Sequence, residues 1–528
     1  MPVGSSFLRK AKMDRKLTIY FTSDTHGYLS PIDYASGSRA ATGVANCAAN
    51  FENDGNCLII DGGDTLQGSP FTYYLHKNGI TEPCVPAQIM NCCGYDFVTL
   101  GNHDFNYGPD YLKTFLSTLD ARCLCANVSG LENVQKTAVV KLKNGLRIGL
   151  TGIVTHYINI WERPDNLNGI KISEPIPAAR EALEELRGEG VDLAVCIYHG
   201  GFENDLDTGA LLSETEENQG YRICRELGFD ILLTGHQHIP MAGRRVFDTF
   251  VCQTPDKGKQ YIRMDVVVRD GSDNDCRNKV AAGLVDAEGI LCPAGAATLS
   301  EAEAILAPYD EQAAAWLDTP VGHLDAELYP SDHLAMAENG SYIANFFNQV
   351  QLEASGADIS CTCLANEVKG FECDVTIRDV VATYIYPNTL QTIEVDRAAL
   401  TQALERCAEY FALSEDGTLK VSDTFLKPKI EHYNYDFFSG IHVTYDVREP
   451  VGQRVKSIVW QGQELPADKK LTLCMNNYRA TGTGGYNCYL RCRRVKEQAT
   501  EIAEMIMDYV VAHENISIDK TQWIRVLH

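Results

Sequence analysis

Short apolar runs alternate with amphipathic stretches from Leu17 to about Val268, a pattern that predicts layers of strands and helices. "EPIPAAREALEELRGEG" carries apolar residues at helical spacing and is closed by Gly188 and Gly190, and the strand-like "VDLAVCIYHG" follows. The polar stretch "RDGSDNDCRNKVAAG" reads as a turn or loop near the end of this half. "SEAEAILAPYDEQAAAWLDTP" then reads as a mostly helical connector, with Ser300 as N-cap and Pro308 as a kink or break. Past Val321 the chain opens with helix-like "ENGSYIANFFNQVQLEASG" and later becomes rich in strand-like segments. The expected organisation is an α/β domain over 15–298, a connector over 299–320 and an α+β domain over 321–528.

Size agrees with this division, because 528 residues exceed what one ordinary core holds. The formal charge of −25 argues against a long nucleic-acid partner, whose phosphates need clustered Lys and Arg. A small phosphorylated substrate remains compatible, since bound cations reverse the local field. No apolar run reaches the ~18 residues that span a bilayer, so no membrane partner is expected. The start, "MPVGSSFLRKAKMDRK", is basic but lacks the apolar core of a secretory leader, so the expectation is a cytoplasmic protein. The 19 cysteines, scattered through strand-like and helix-like segments, read as reduced thiols. Cys123-x-Cys125 and Cys361-x-Cys363 have the form of zinc half-sites, but neither has a matching second pair.

The chemistry lies at the ends of the strand-like runs. Cys57 to Ile60, suited to a buried strand, run straight into Asp61, two glycines and Asp64. A carboxylate at the tip of a core strand needs a cation or hydrogen-bond donors. Other runs end alike: "LTIYFTSDTHG" at Asp24 and His26, "DFVTLGNHDFNYG" at Asn102, His103 and Asp104, "LAVCIYHGG" at His199, and "ILLTGHQH" at His236 and His238. One such residue at a strand end is usually a turn former. Five tips ending this way are a pattern, and in open α/β sheets strand C-termini are where ligands bind. Imidazole with carboxylate suits Zn²⁺, Mn²⁺, Fe or Co. Seven protein donors sharing one carboxylate make two adjacent sites, with Asp64 the natural bridge. Two such cations, about 3.5–4 Å apart, clamp both oxygens of a phosphoryl displacement.

The order D-x-H, G-D, G-N-H-D, H and G-H-x-H resembles the calcineurin-like metallophosphoesterases, and "GGDTLQGSP" with "LGNHDFNYG" resembles the 5′-nucleotidase family. The resemblance implies an N-terminal β-sandwich flanked by helices, carrying two divalent metal ions, and a C-terminal substrate domain beyond a helical connector. One metal would take Asp24, His26, Asp64 and His238, and the other Asp64, Asn102, His199 and His236. His103 would be the catalytic histidine beside the transferred phosphate, oriented and charged by Asp104, with water activated by the cations as nucleophile. "YDFFSGIHVTYDV" and "NNYRATGTGGY" resemble the segments that sandwich the nucleobase, which would make Tyr435 and Tyr486 the stacking rings.

The chain departs from one branch of that family. "GADISCTCLANEVKG" lacks the arginine of the N-G-G-x-x-R segment found in many 5′-nucleotidases, whereas "IRDVVATYIYPNTL" and "MNNYRA" resemble the 2′,3′-cyclic-nucleotide 2′-phosphodiesterase/3′-nucleotidase branch. Arg378 and Arg479 are expected to be structural ion pairs rather than substrate contacts. The expectation is a dimetal hydrolase that opens 2′,3′-cyclic nucleotides and then removes the 3′ phosphate. Its rivals are a 5′-nucleotidase or nucleotide-sugar hydrolase and, in another class, a catalytically silent nucleotide-binding protein. The silent rival predicts lost ligands or a lost His103, and all are present.

Overall fold

The computed structural model describes residues 14–212, 216–269, 280, 283–386, 388–427 and 429–528. Most of the polar stretch expected as a loop at 269–283 lies outside the described residues. The chain divides into two compact units. One comprises Met1–Ile32, Arg39–Gln67 and His76–Pro308; the other comprises Asp33–Ser38, Gly68–Leu75 and Tyr309–His528.

The first unit holds two large sheets. A seven-stranded sheet runs in the spatial order Val285–Pro293, Gln260–Val268, Arg15–Thr22, Cys57–Asp61, Phe97–Val98, Arg122–Leu124 and Val134–Gln135. A six-stranded sheet runs Met241–Val246, Thr249–Gln253, Ile231–Thr234, Leu193–His199, Arg147–Val154 and Thr137–Lys141. The two-residue periodicity of strands sorts their side chains. Leu17, Ile19 and Phe21 of one sheet share a buried core with Leu193, Val195 and Ile197 of the other, which makes a sandwich. The intervening Ala194, Cys196 and Tyr198 face outward, into a second core shared with Ile176, Ala179 and Leu183 of the helix Pro175–Gly188. A strand buried on both faces reads as a continuous apolar run, as "LAVCIY" does.

The strands that carry the polar tips are parallel. Arg15–Thr22 pairs with Cys57–Asp61, and Cys57–Asp61 with Phe97–Val98. In the other sheet, Arg147–Val154, Leu193–His199 and Ile231–Thr234 are parallel in sequence. Parallel pairing sends all these C-termini to the same edge of their sheet.

The helix Ser300–Leu317 runs continuously through Pro308, with Ser300 as its first residue rather than a cap outside it. The expected break at Pro308 does not occur. The second unit centres on a five-stranded sheet ordered Asp436–Ser439, Ile359–Cys363, Lys470–Asn476, Thr389–Asp396 and Arg493–Glu501. A four-stranded sheet and the helices Tyr342–Ser355, Arg397–Ala408 and Ile502–Ala512 complete one buried core. No described helix is long and apolar enough to cross a membrane.

Candidate active site

The loops after the parallel strands bring the seven predicted donors together. His26 Nε2 lies 3.1 Å from His238 Nε2 and 3.9 Å from Asp64 Oδ2. His199 Nε2 lies 3.2 Å from both Asp64 Oδ2 and Asn102 Oδ1. His236 Nδ1 lies 2.9 Å from Asn102 Oδ1, and His238 Nε2 3.3 Å from Asp24 Oδ1. Glycine permits this convergence at two places. Gly63 has φ +90° and a Cβ there would sit 2.3 Å from the Gly101 nitrogen, while a Cβ on Gly101 would sit 2.1 Å from Asp64 Oδ1. Asp61, at the strand end, stays out of the cluster and ties the turn through Thr22, Thr65 and the Gly63 N–H; burial raises its pKa to about 7.

The backbone around the donors is itself unusual. Among the described residues eight non-glycine positions have positive φ, and five of them are Asp24, His26, Asp64, His236 and His238. The left-handed region costs a residue with a Cβ about 1–2 kcal/mol, and such strain concentrates at functional sites.

The hydrogen bonds aim the imidazoles. His199 Nδ1 donates to the Gly62 carbonyl at 2.7 Å and His26 Nδ1 to the Gln67 carbonyl at 3.0 Å, since a carbonyl only accepts. His236 Nε2 donates to Glu217 Oε1 at 2.8 Å. Each ring therefore commits one N–H outward and turns its other nitrogen toward the centre, the arrangement found behind metal-bound histidines. Electrostatics agree. Burial pushes the His199 pKa down, but Asp64, Asp24 and the Gly62 carbonyl outweigh it and raise the pKa to about 10. Burial lowers that of His26 to about 4, against the pull of Asp64. Burial would raise the carboxyls of Asp24 and Asp64, yet their histidine neighbours hold both below the usual range. A proton on His199 stands where a cation would. Asp24, His26 and His238 form one group of donors within 4.8 Å of one another, and Asp64, His199 and His236 form another. This donor set fits divalent cations: the Nε2 atoms of His26 and His238 converge with two nearly unexposed carboxylates.

His103 lies at this centre, its ring 5.2 Å from that of His26 and its N–H donating to Asp64 Oδ1 at 2.7 Å. Asp104 does not orient it, contrary to the expectation. The Asp104 carboxylate accepts four backbone N–H groups: Asp64 at 3.0 Å, Thr65 at 2.8 Å, Leu66 at 2.9 Å and Gly101 at 2.8 Å. The reason is local. Asn102–Phe105 is a 3₁₀ helix, in which residues three apart are eclipsed and adjacent ones diverge. His103 Nδ1 accordingly meets Asn106 Oδ1 at 2.8 Å. Asn106, Glu162, Glu217 and Trp161, which stacks on His236 at 5.6 Å and 17°, were not singled out in the sequence. Only the i,i+3 spacing of His103 and Asn106 offered a signal.

Tyr435 and Tyr486 do not form an open sandwich; both are core residues, 3% and 0% exposed. Tyr435 packs 5.0 Å from Tyr410 and 4.9 Å from Phe437, with its hydroxyl donating to the Ala337 carbonyl. Tyr486 has Arg479 Cζ 4.2 Å from its ring and Tyr489 stacked at 5.7 Å, so both of these ring contacts are internal. Half-buried rings stand close by in sequence: Tyr433, two residues before Tyr435, and Tyr478, on the segment that ends in Tyr486. Buried Arg479 links them, since it follows Tyr478 and donates to the Tyr433 carbonyl at 2.9 Å. Its partner is Asp436 at 2.8 Å, and Arg378 pairs with Asp318 at 2.7 Å; both are ion pairs, as expected. The thiols of Cys123, Cys125, Cys361 and Cys363 are buried, burial raises their pKa values, and none belongs to a candidate metal group among the described residues.

Comparison with known proteins agrees with this geometry. The profile of the calcineurin-like phosphoesterases matches residues 17–240, and that of the 5′-nucleotidase C-terminal domain matches residues 320–491. A Staphylococcus aureus protein provisionally named a 5′-nucleotidase is 31% identical and superposes with a TM-score of 0.86, over 97% of this chain and 100% of the other. The 2′,3′-cyclic-nucleotide 2′-phosphodiesterase/3′-nucleotidase of Haemophilus influenzae is 23% identical over 90% of this chain and 81% of its own length. The trifunctional nucleotide phosphoesterase protein YfkN of Bacillus subtilis is 24% identical over 95% of this chain, which spans only 38% of that protein. The chain belongs to the 5′-nucleotidase family, metal-dependent phosphoric ester hydrolases that join a calcineurin-like phosphoesterase domain to a 5′-nucleotidase C-terminal domain.

Proposed function

We propose that this chain hydrolyses small nucleotides, opening 2′,3′-cyclic phosphates by expelling the 2′ oxygen and then releasing the 3′ phosphate. The observation that carries the reading is the convergence of six donors with Asp64, and His103 beside them. Asp24, His26, Asp64 and His238 would hold one divalent ion, and Asp64, Asn102, His199 and His236 a second, with Zn, Mn, Fe and Co all compatible with these donors. Such ions activate water near neutral pH and neutralise phosphoryl oxygens. The protein's own part is proton transfer and placement. As water adds to phosphorus and the P–O2′ bond breaks, the departing oxygen needs a proton; a His103 ring protonated on both nitrogens would give it from Nε2 and keep its Nδ1–H on Asn106 Oδ1. The second hydrolysis repeats the step on the 3′ oxygen.

Base recognition is assigned to Tyr433 and Tyr478 in place of the buried Tyr435 and Tyr486. The engagement of Arg378 and Arg479 in ion pairs and the missing N-G-G-x-x-R arginine favour the cyclic and 3′ substrates. A second reading, 5′-nucleotidase, is favoured by the name of the Staphylococcus aureus relative. Free thiols at every described cysteine suit a reducing compartment, which supports a cytoplasmic location. The test is phosphate release by the Mn²⁺-loaded protein from 2′,3′-cyclic AMP, 3′-AMP, 5′-AMP and UDP-glucose. Faster turnover of 5′-AMP than of the first two would overturn the branch assignment.

A further inference from the structure

The ring of His103 leans on a neutral amide, and the nearest charge on that side stands one residue further out. Asn106 Nδ2 donates to Glu162 Oε2 at 2.5 Å, while Asn106 Oδ1 faces His103 Nδ1 at 2.8 Å. Glu162 is itself fixed: its Oε1 accepts from the Arg163 N–H at 2.7 Å and from Asn166 Nδ2 at 2.8 Å. Asn166 Nδ2 also donates to the Asn106 carbonyl at 2.9 Å, which closes the arrangement. An ionised carboxylate can only accept. Glu162 therefore dictates that Asn106 turns its NH₂ outward and its oxygen to the ring. That oxygen also only accepts, so His103 must carry its N–H on Nδ1.

The geometry points to Glu162 as a positioning residue that, through Asn106, decides which nitrogen of His103 faces the substrate. This rests on the reading of His103 as the proton donor given above. No neighbouring carboxylate takes the place of Asn106 at Nδ1: Asp104 is saturated by four backbone N–H groups, while Asp64 accepts from the His103 main-chain N–H and, with His26, has a donor atom within 4.8 Å of a His103 ring nitrogen. Glu162→Gln is isosteric, and its NH₂ can donate to Asn106. Asn106 then flips and presents its own NH₂ to the ring, so Nδ1 must accept and can hold no proton, and the ring can no longer carry the second proton that Nε2 has to give. Adding Asn106→Asp restores the polarity: the introduced glutamine amide donates to the new carboxylate, and that carboxylate accepts from Nδ1–H. Asn106→Asp alone sets two carboxylates against each other and should not help.

The experiment measures kcat and KM for 3′-AMP, or whichever nucleotide the wild type turns over, and for p-nitrophenyl phosphate, whose leaving group needs no proton. Wild type, E162Q, N106D, the double variant and H103A are compared, with bound metal determined for each. The expected result for E162Q is a kcat loss of about 10–10² on the nucleotide and less than about threefold on the nitrophenyl ester, with KM and metal content held. The double variant should recover most of that loss. Equal losses on both substrates, or no recovery in the double variant, would overturn the inference. Should H103A impair the nucleotide reaction while E162Q does not, Glu162 fails alone; should H103A leave turnover intact, the reading of His103 fails first.

Discussion

Replacing Asp104 by Asn tests whether this carboxylate is scaffold or chemistry. Each of its oxygens accepts two backbone N–H groups, Oδ1 those of Thr65 and Leu66, and Oδ2 those of Asp64 and Gly101. An Asn side chain keeps one acceptor and points an NH₂ at the other two donors, so two of the four bonds are lost. Hydrogen bonds to a charged acceptor are worth about 1.5–3 kcal/mol each, a gross loss of ~3–6 kcal/mol. Burial and the nearby Asp64 push the Asp104 pKa up, so removing its charge returns part of that loss. We therefore expect a net destabilisation of about 2–4 kcal/mol, or a fall in Tm of roughly 3–7 °C for a unit of this size. The donors also hold the loops bearing Asp64 and Asn102, so metal affinity should fall about 10–100-fold, as for other residues behind metal ligands. Calorimetry of the full chain and a chelator-competition titration measure both. Wild-type Tm and metal affinity with kcat lowered ~10²-fold would refute the scaffold role and return Asp104 to the imidazole.

Asp64→Asn should lose at least one metal and nearly all turnover, because the shared oxygen near His26 and His199 goes; two ions per chain with full activity would dismiss the ligand map. Tyr433→Ala and Tyr478→Ala should each lower kcat/KM for nucleotides by about 1–3 kcal/mol of stacking while sparing bis-p-nitrophenyl phosphate. Tyr435→Ala and Tyr486→Ala should instead destabilise the fold by about 3–5 kcal/mol and reduce both reactions alike, so a nucleotide-specific loss from either core ring would restore the sandwich. Because the His199 pKa is raised from 6.5 to about 10, its contribution is complete below pH 6.5 and drains as pH rises toward 10. The urea midpoint of chelator-treated protein should thus fall between about pH 7 and 8, and a flat or rising midpoint there contradicts the assignment.

The strand tips were legible because ligand, glycine and turn sit within a few residues, and parallel pairing brings separate tips to one edge without further sequence information. The roles within a tip were less legible. His103 and Asp104 are adjacent in sequence, yet the 3₁₀ turn sends their side chains apart and eclipses His103 with Asn106. The same local geometry misled the choice of rings. His432–Asn434 is also a 3₁₀ turn, and beyond it Tyr435 enters the sheet core while Tyr433 stays half-buried. Glu162 and Glu217 carry no pattern at all. Each acts across 56 or 19 residues of sequence on a partner chosen only by the fold.

The partners of those two contacts, Asn106 and His236, both meet one short segment. The helix Ile158–Trp161 ends with the Trp161 ring stacked on His236, and the next residue, Glu162, holds Asn106 against His103. His236 is at the same time fixed by Glu217 through its other nitrogen, so its ring plane is set by a stacking face and its tautomer by a carboxylate. One two-residue step of backbone therefore bears on the plane of a candidate metal ligand and on the polarity of the hydrogen bond at His103. On the proposed function, protonating two different leaving oxygens in turn needs these two settings to stay matched. Packing their controls on adjacent residues makes a shift of one hard to achieve without a shift of the other. The strained tips of the sheets bring the donors together, and this outer segment acts on two of the rings, His236 directly and His103 through Asn106.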